Sequence, residues 1–510
     1  MTRPRLLALS VALLAAAPMA AQKQERAIRG ESGLVRAYAL IFDARFDAFA
    51  AELDRACGPA PAEACQVLDA TALWWRIQLD PDSRALDAEF STSVEQAIRA
   101  TDEWTERAPD DAEAWFYLGG AYAARVQWLV LREERLAAAR DGKRIKEALE
   151  RAIALDPSFD DAYFGIGLYQ YYADVAPTAA KILRFLLLLP GGNREEGLEQ
   201  MLRARTRGRL LQDEADYQLH ILYLWYEHRT DRALELLRDL DRRHPANPIF
   251  QTQIAEIQDV YQHDIMASLA SWRALLADVK DGRVEFAELA EIRARLGIAR
   301  HLDTLGLTDE AIEELERVIA LAPEAPHGSL ALAHLRLGEA HDRLNARSDA
   351  QAAYRSASLL APAHDPLNIR RDATERLRQA PNTRHAEAFR LSLEGWRALE
   401  RKEVAAAEAA LTRAIALNSR DLIARYRLGR VLQARHHDTA ALAQFAHVIR
   451  DERLAPAPIA GEAHLESGRI HDRASRREQA IAEYRIASTY FGAGAATHTA
   501  AAGALARLDK

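Results

Sequence analysis

The sequence is poor in most of the residues that announce chemistry. Among 510 residues there are two cysteines and four methionines, and aromatic side chains make up 7%. Two cysteines exclude a disulfide-dense scaffold and a thiolate zinc cluster. No excess of positive charge is present: 67 Lys and Arg stand against 75 Asp and Glu, a net charge of −8. That balance gives no electrostatic footprint for nucleic acid. After the N-terminal segment, no run approaches the roughly 18 consecutive apolar residues needed to span a membrane. Alternating β-branched stretches are missing as well. Phosphate-cradling G-x-x-x-x-G-K-[ST], H-E-x-x-H and G-x-S-x-G motifs are all absent. The sequence therefore signals no catalytic residue, metal ligand or cofactor site.

What is abundant is Ala, Leu, Arg and Glu, all good helix formers. The composition reads as all-α. The first residues, MTRPRLLALSVALLAAAPMAAQ, place Arg3 and Arg5 before an apolar stretch from Leu6 to Ala17. Small residues follow through Ala21. This is the pattern of a secretory signal peptide covering 1–21, too short for a comfortable membrane span. No cysteine lies near the cleavage region, so a lipid anchor is not indicated. A periplasmic or secreted location is expected. In an oxidising compartment Cys57 and Cys65, flanking GPAPAEA, are placed to close a short disulfide loop. Two free, half-buried thiols are the other reading of the pair.

Three segments nearly spell one another: RAIALDP at 151–157, RVIALAP at 317–323 and RAIALNS at 413–419. Each ends a stretch of helical period. A second pattern precedes such endings, in WFYLGGAY (115–122), HLRLGEAH (334–341), YRLGRVL (426–432) and HLESGRIH (464–471). Gly119, Gly338, Gly429 and Gly468 would let two helices approach closely. Ala311, Ala350, Ala441 and Ala480 are the matching small residues of the second helix. Tyr354, Phe445 and Tyr484 are expected to pack against the neighbouring unit. Pro157, Pro245, Pro323 and Pro362 stand where a second helix must stop.

These motifs resemble the tetratricopeptide repeat (TPR), a pair of antiparallel helices of about 34 residues. The resemblance implies an all-α, right-handed superhelical solenoid of antiparallel helix pairs. We place eleven hairpins at 33–61, 63–109, 112–157, 160–209, 214–245, 248–280, 286–323, 330–362, 386–419, 422–453 and 461–490, with a capping helix at 495–508. The repeat motifs carry 112–157, 214–245, 292–362 and 388–490. Over 33–109 and 248–280 only helical periodicity supports the hairpins. Three regions follow the signal peptide: degenerate hairpins at 22–110, long hairpins with an apolar insertion at 111–250, and a C-terminal array at 251–510. The region 112–250 is similar to a group of exported bacterial repeat proteins and, more distantly, to the inclusion-body-clearance repeat family. Neither resemblance supplies a reaction. APEAPHG (322–328) and APAHDPLN (361–368) hold the most loop chemistry and are candidate hinges.

The insertion contains KILRFLLLLPGGN at 181–193. As a helix, 181–189 covers about 14 Å, against about 30 Å for a bilayer core. It is expected to be an extra helix over the solenoid, turned back at Pro190-Gly191-Gly192, with Asn193 capping the next helix.

The resemblance implies a concave face, lined by first helices, that holds a protein or peptide partner. In the N-terminal half Phe116, Phe164, Leu168, Tyr171, Tyr172, Trp225 and Tyr226 map to that face. In the C-terminal half Arg300, Asp303, Glu339, Asp342, Trp396, Tyr426, Arg430, Arg469 and Asp472 do so. Aromatic and Arg side chains are common interface anchors. Packing of the enlarged hairpins is the competing role for the aromatics. A non-catalytic envelope scaffold is the leading expectation. An envelope factor binding lipid or a hydrophobic ligand through 182–189, with peripheral membrane contact, is the alternative. An enzyme would need titratable groups converging in a pocket, which the sequence does not supply. The histidine pairs 334/341 and 464/471 sit two helical turns apart, about 10.5 Å, too far to share a metal ion. They read as packing histidines, partly solvated. Asp110–Asp111, Asp160–Asp161 and Glu195–Glu196 read as first-turn acids complementing helix dipoles.

Overall fold

The computed structural model describes residues 28–175, 191–380 and 382–508. The signal-peptide expectation for 1–21 and the helix expected over 181–189 lie outside the described residues. Among the described residues there are twenty-four α-helices and no strand. The helices stack as consecutive antiparallel pairs, and the pairs form a TPR-like solenoid. The capping helix is Ala495–Leu508, with the bounds the periodicity gave. No helix among the described residues is long and apolar enough to cross a membrane.

Four hairpins close on a size match. In the pair Ser329–Arg343 and Arg347–Leu360, a Cβ on Gly338 would lie 2.5 Å from the Tyr354 ring. In the pair Ala457–Arg473 and Arg477–Thr489, a Cβ on Gly468 would lie 2.6 Å from Tyr484. Gly119 faces Leu149 and Gly429 faces Phe445 in the same way. The bulky residues thus fill the notch of their own hairpin and also reach the next element, as expected: Tyr354 clusters with Ile369 and Ala373, Phe445 with Ala463 and Ile470, and Tyr484 with Ala501 and Ala504. The reason is geometric. A glycine on the first helix leaves a pit one ring deep, and the nearest ring is the antiparallel mate's.

Pro157, Pro245, Pro323 and Pro362 each follow a second helix by one residue or a short turn. The hairpin Ala112–Leu131 and Arg135–Leu155 is long, with helices of 20 and 21 residues. The acids play more varied parts than first-turn charge. Asp111 caps its helix by accepting from the Glu113 N–H at 3.2 Å. Asn193 caps Arg194–Arg207 by accepting from Glu195 and Glu196. Asp161 instead reaches across to accept from the N–H groups of Arg209, Leu210 and Leu211, pinning the next turn. Cys57 and Cys65 are joined by a disulfide, Cα atoms 6.1 Å apart.

One element was not foreseen. A lone helix, Ile369–Arg378, stands between the pairs 329–360 and 383–417. Its four arginines and two acids in ten residues hide the apolar face formed by Ile369, Ala373 and Leu377. Beyond it the array folds back on an earlier turn. Arg397 binds Asp309, and the Arg427 guanidinium donates to the Gly306 carbonyl at 2.8 Å.

Two substitutions check the notch. Gly338→Ala, which helix propensity alone would favour by about 0.5–1 kcal/mol, is expected to cost about 1–3 kcal/mol through overpacking on Tyr354. Gly503→Ala meets nothing within 4 Å and is expected to stabilise by up to about 1 kcal/mol. Urea unfolding of both variants measures the pair.

Candidate interaction site

The N-terminal inner face is not an open groove. The first two hairpins, 31–56 and 62–107, wind back onto the first helices of later ones. The Phe42 ring lies 4.4 Å from Trp75 and 6.3 Å from Phe250, and Trp75 lies 4.8 Å from Tyr217. Within this apolar layer sits one carboxylate, Glu214, buried in the helix Gln212–Trp225. It accepts from Tyr38 Oη and Trp75 Nε1, each at 3.2 Å, and from Gln218 Nε2 at 3.3 Å. Burial raises its pKa, against the lowering by these three donors. Nearby, burial drives the His220 imidazole down to about 3, so it is neutral. Further ties close the same seam. Asn247 donates to the Phe42 carbonyl at 2.8 Å, Arg293 donates to the Leu79 carbonyl at 2.6 Å, and His244 lies between Asp43 and Asp213.

This closure determines where the sequence-predicted partner residues fall. Phe116 is buried against Phe159, with ring centres 4.7 Å apart. Phe164 and Tyr171 are buried in a cluster with Met201 and Leu219, on which Leu168 and Tyr172 pack half-buried. Trp225 and Tyr226 behave differently, with 56% and 38% of their surface exposed. Tyr171, Tyr172 and Tyr226 meet edge to face, with centroids 5.6–6.1 Å apart. The Tyr171 hydroxyl donates to Glu227, which also receives Arg194 Nε at 2.7 Å. The hydrogen bond from Arg194 is the main reason the Glu227 carboxyl is held below its usual range. Tyr226 is thereby held against Tyr171 and Tyr172, and Trp225 precedes it as the last residue of its helix.

The next hairpin repeats this edge. YEHRT at 226–230 aligns with YQHDI at 261–265. His228 and His263 both take left-handed backbone, φ 52° and 55°, so the two turns share one shape. Gln262 Nε2 donates across to Asp231 at 3.4 Å. Val260 and Tyr261 are exposed beside Trp225 and Tyr226. Phe491 is also exposed, and its neighbour Gly492 comes up to the His263 carbonyl. Val260, Tyr261 and Phe491 were missed in the sequence reading. The repeated turn was the signal that could have found the first two. For Phe491 only the folded chain reveals the proximity.

The C-terminal inner face is laced with ion pairs and hydrogen bonds, some between adjacent first helices and others within one helix or hairpin. Arg300 binds Asp259 at 2.6 Å, and Arg343 binds Asp303 at 2.9 Å. Arg430 donates to Tyr426 Oη at 2.7 Å, and Arg469 binds Glu466 at 2.6 Å. Glu339 pairs with Arg336, Asp342 with Arg347, and Asp472 accepts from Tyr484. Trp396 carries the buried Arg427 over its ring at 5.7 Å, and Tyr426 is itself buried. Arg300, Arg430 and Arg469 therefore already have internal partners.

Among the described residues there is no group of three or more metal-ligating side chains. Ser268 and His301 are within hydrogen-bond reach at 2.8 Å, yet both are buried, and the serine hydroxyl donates to the Ala255 carbonyl. His464 departs from a partly solvated packing role. It is buried, with Nδ1 2.6 Å from Glu483 and Nε2 3.4 Å from Glu452. Burial alone would lower its pKa, but the two carboxylates outweigh burial and raise it.

No family model matches this sequence, and no curated protein does. Solved structures that the chain matches include a tetratricopeptide repeat protein from Parabacteroides merdae. It is 15% identical over 58% of this chain and 99% of that chain, with a TM-score of 0.28. A human IFIT1 dimer with PPP-AAAA is 15% identical over 79% of this chain and 78% of that chain, with a TM-score of 0.31.

Two measurements test these clusters. Glu214→Leu leaves Tyr38 and Trp75 without an acceptor and is expected to cost about 2–5 kcal/mol. Glu214→Gln, which keeps an acceptor oxygen, is expected to cost less, as read by urea unfolding. The His464 contribution has the sign of a raised pKa. It is complete below about pH 6.5, the ordinary unfolded value, and is lost as pH rises through the higher folded value. His464→Gln is expected to flatten that part of the stability–pH curve. In fold, the chain is a solenoid of antiparallel helix pairs.

Proposed function

We propose that this protein is a non-catalytic scaffold of the periplasm or cell envelope that binds a protein or peptide partner. The N-terminal sequence pattern supports export. The observation that carries the binding reading is the aromatic edge: Trp225, Tyr226, Val260 and Tyr261 are exposed on two consecutive turns of one shape. Gln262 joins the two turns through Asp231, and large exposed Trp and Tyr side chains on neighbouring turns are frequent interface anchors. Tyr171 and Tyr172 support the edge from beneath. Phe116, Phe164 and Leu168 act through packing.

Arg300 and Arg430 serve the partner less directly, by tying adjacent first helices through Asp259 and Glu466, and Arg469 pairs with the same Glu466 within its own helix. An exposed ion pair is worth about 0–1 kcal/mol, so a partner carboxylate can exchange into one of these pairs at small cost. The lipid reading rests on 182–189, which lies outside the described residues, and no observed contact favours it.

The test is affinity capture from an envelope fraction with the full chain as bait, compared with a Trp225→Ala/Tyr226→Ala bait. Loss of a specific partner, by about tenfold or more in yield, is the expected outcome. The same partners at the same yields from both baits would sink the edge as the binding surface.

A further inference from the structure

The last two hairpins are joined by a single 3-10 turn, Glu452–Leu454, which lies between the helices Asp438–Arg450 and Ala457–Arg473. Arg453 and Leu454 of this turn face solvent. Glu452 reaches back to the array through His464 Nε2, at 3.4 Å. The other ring nitrogen lies 2.6 Å from Glu483, on the helix Arg477–Thr489. His464 is buried between the two carboxylates, with its ring centre 5.9 Å from that of Tyr490.

The charges around the imidazole make its proton decisive. Among the described residues no Arg or Lys pairs with Glu452 or Glu483, so the imidazolium balances both. His471, two turns along the same helix, also faces Glu483. Burial and the nearby Arg476 lower its pKa, so it is already neutral where His464 still holds its proton. His498, from the last helix, is engaged by the Tyr490 carbonyl at 2.8 Å. A charged ring donates from both nitrogens, whereas a neutral ring has one N–H. Kept on Nδ1, that proton holds the closer Glu483 and leaves a lone pair against Glu452.

This joint touches the aromatic edge. A Cβ on Gly492 would lie 3.0 Å from the Ala457 methyl, three residues beyond the turn, and 3.7 Å from the His263 carbonyl. A Cβ on Gly494 would lie 3.1 Å from Met266. The loop 490–494, with its exposed Phe491, is therefore seated on the turn that leads into the helix Ile265–Lys280. Tyr490, which opens this loop, is the residue whose ring His464 meets.

We propose that His464 is a proton-operated latch. Charged, it clamps the turn 452–454 to the last hairpin and keeps the loop 490–494 on the turn at 263–266. Neutral, it frees Glu452, and the loop lifts from the edge with Phe491. Burial opposes the charged ring, but Glu483 and Glu452 outweigh it and raise the pKa. The latch is thus closed below about pH 6.5 and opens as pH climbs through the higher folded value. The latch belongs to the chain alone, and only its consequence for a partner rests on the binding reading above.

Hydrogen exchange of the full chain, read by mass spectrometry, follows local opening of 451–456, 490–494 and 261–266. Comparing wild type with His464→Gln at each pH cancels the pH dependence of exchange itself. At about pH 6 the wild type is expected to exchange about tenfold more slowly than the variant in all three segments, and at about pH 9 the two should match. The hairpin 329–360 is the control and should show no difference. Glu452→Gln removes the carboxylate that the neutral ring repels, and should narrow the wild-type change between the two pH values. Where His464→Gln loses helix content by circular dichroism, wild type against Glu452→Gln decides in the same way. Equal exchange at about pH 6, a difference that persists at about pH 9, or one confined to 451–456 overturns the proposal. No partner enters this measurement, so its failure and the failure of affinity capture are separate results.

Discussion

One buried carboxylate sits where the solenoid winds back on itself. Glu214 receives Tyr38, Trp75 and Gln218 at the meeting of three hairpins, inside a layer of Phe42, Tyr217 and Phe250. An isolated buried charge is costly, so its place is tolerable only while those donors are present. The donors come from positions 38 and 75, far away in the chain. Tight winding of the first two hairpins onto the fifth and sixth is the arrangement that brings them together. Asn247 on the Phe42 carbonyl, Arg293 on the Leu79 carbonyl and the Asp80 carboxylate accepting from the His327 N–H fix the same closure at its margins.

That closure redistributes the surfaces. In an open superhelix the first helices line a groove for a partner. Here the N-terminal first helices meet one another, and aromatic residues that pattern alone assigns to a groove become core. What remains available is the edge, where turns cannot be covered by stacking. Trp225, Tyr226, Val260 and Tyr261 occupy two such turns. The lone helix at 369–378 produces the second irregular surface for a related reason. A helix without a mate interrupts stacking, exposes its outer face, and lets the later array fold back so that Arg397 and Arg427 reach 306–309.

Local features were legible from residues near in sequence. Gly119, Gly338, Gly429 and Gly468 mark the close approach of paired helices, and the helix stops before Pro157, Pro323 and Pro362 follow from proline's missing N–H. Periodicity places Tyr354, Phe445 and Tyr484 on the face toward the next element, but not in the glycine notch of their own hairpin, because it gives a face and not a depth. The lone helix escaped because IRRDATERLR shows only Ile369, Ala373 and Leu377 at helical spacing among four arginines. His464 gave no sign of its two carboxylates, since Glu452 lies in a separate turn and Glu483 on the opposing helix.

The sequence by itself determined the unit: helix pairs of defined length, where each stops, and which small residue faces the mate. These are contacts between residues within about 40 positions, and the 3.6-residue period encodes them directly. The tertiary structure decided the winding, and with it which aromatics are buried, which arginines are already paired and where open surface remains. Those outcomes rest on contacts such as Tyr38 with Glu214, 176 residues apart. Such contacts depend on small rotations at every hairpin interface, accumulated along the stack, and no local pattern carries their sum.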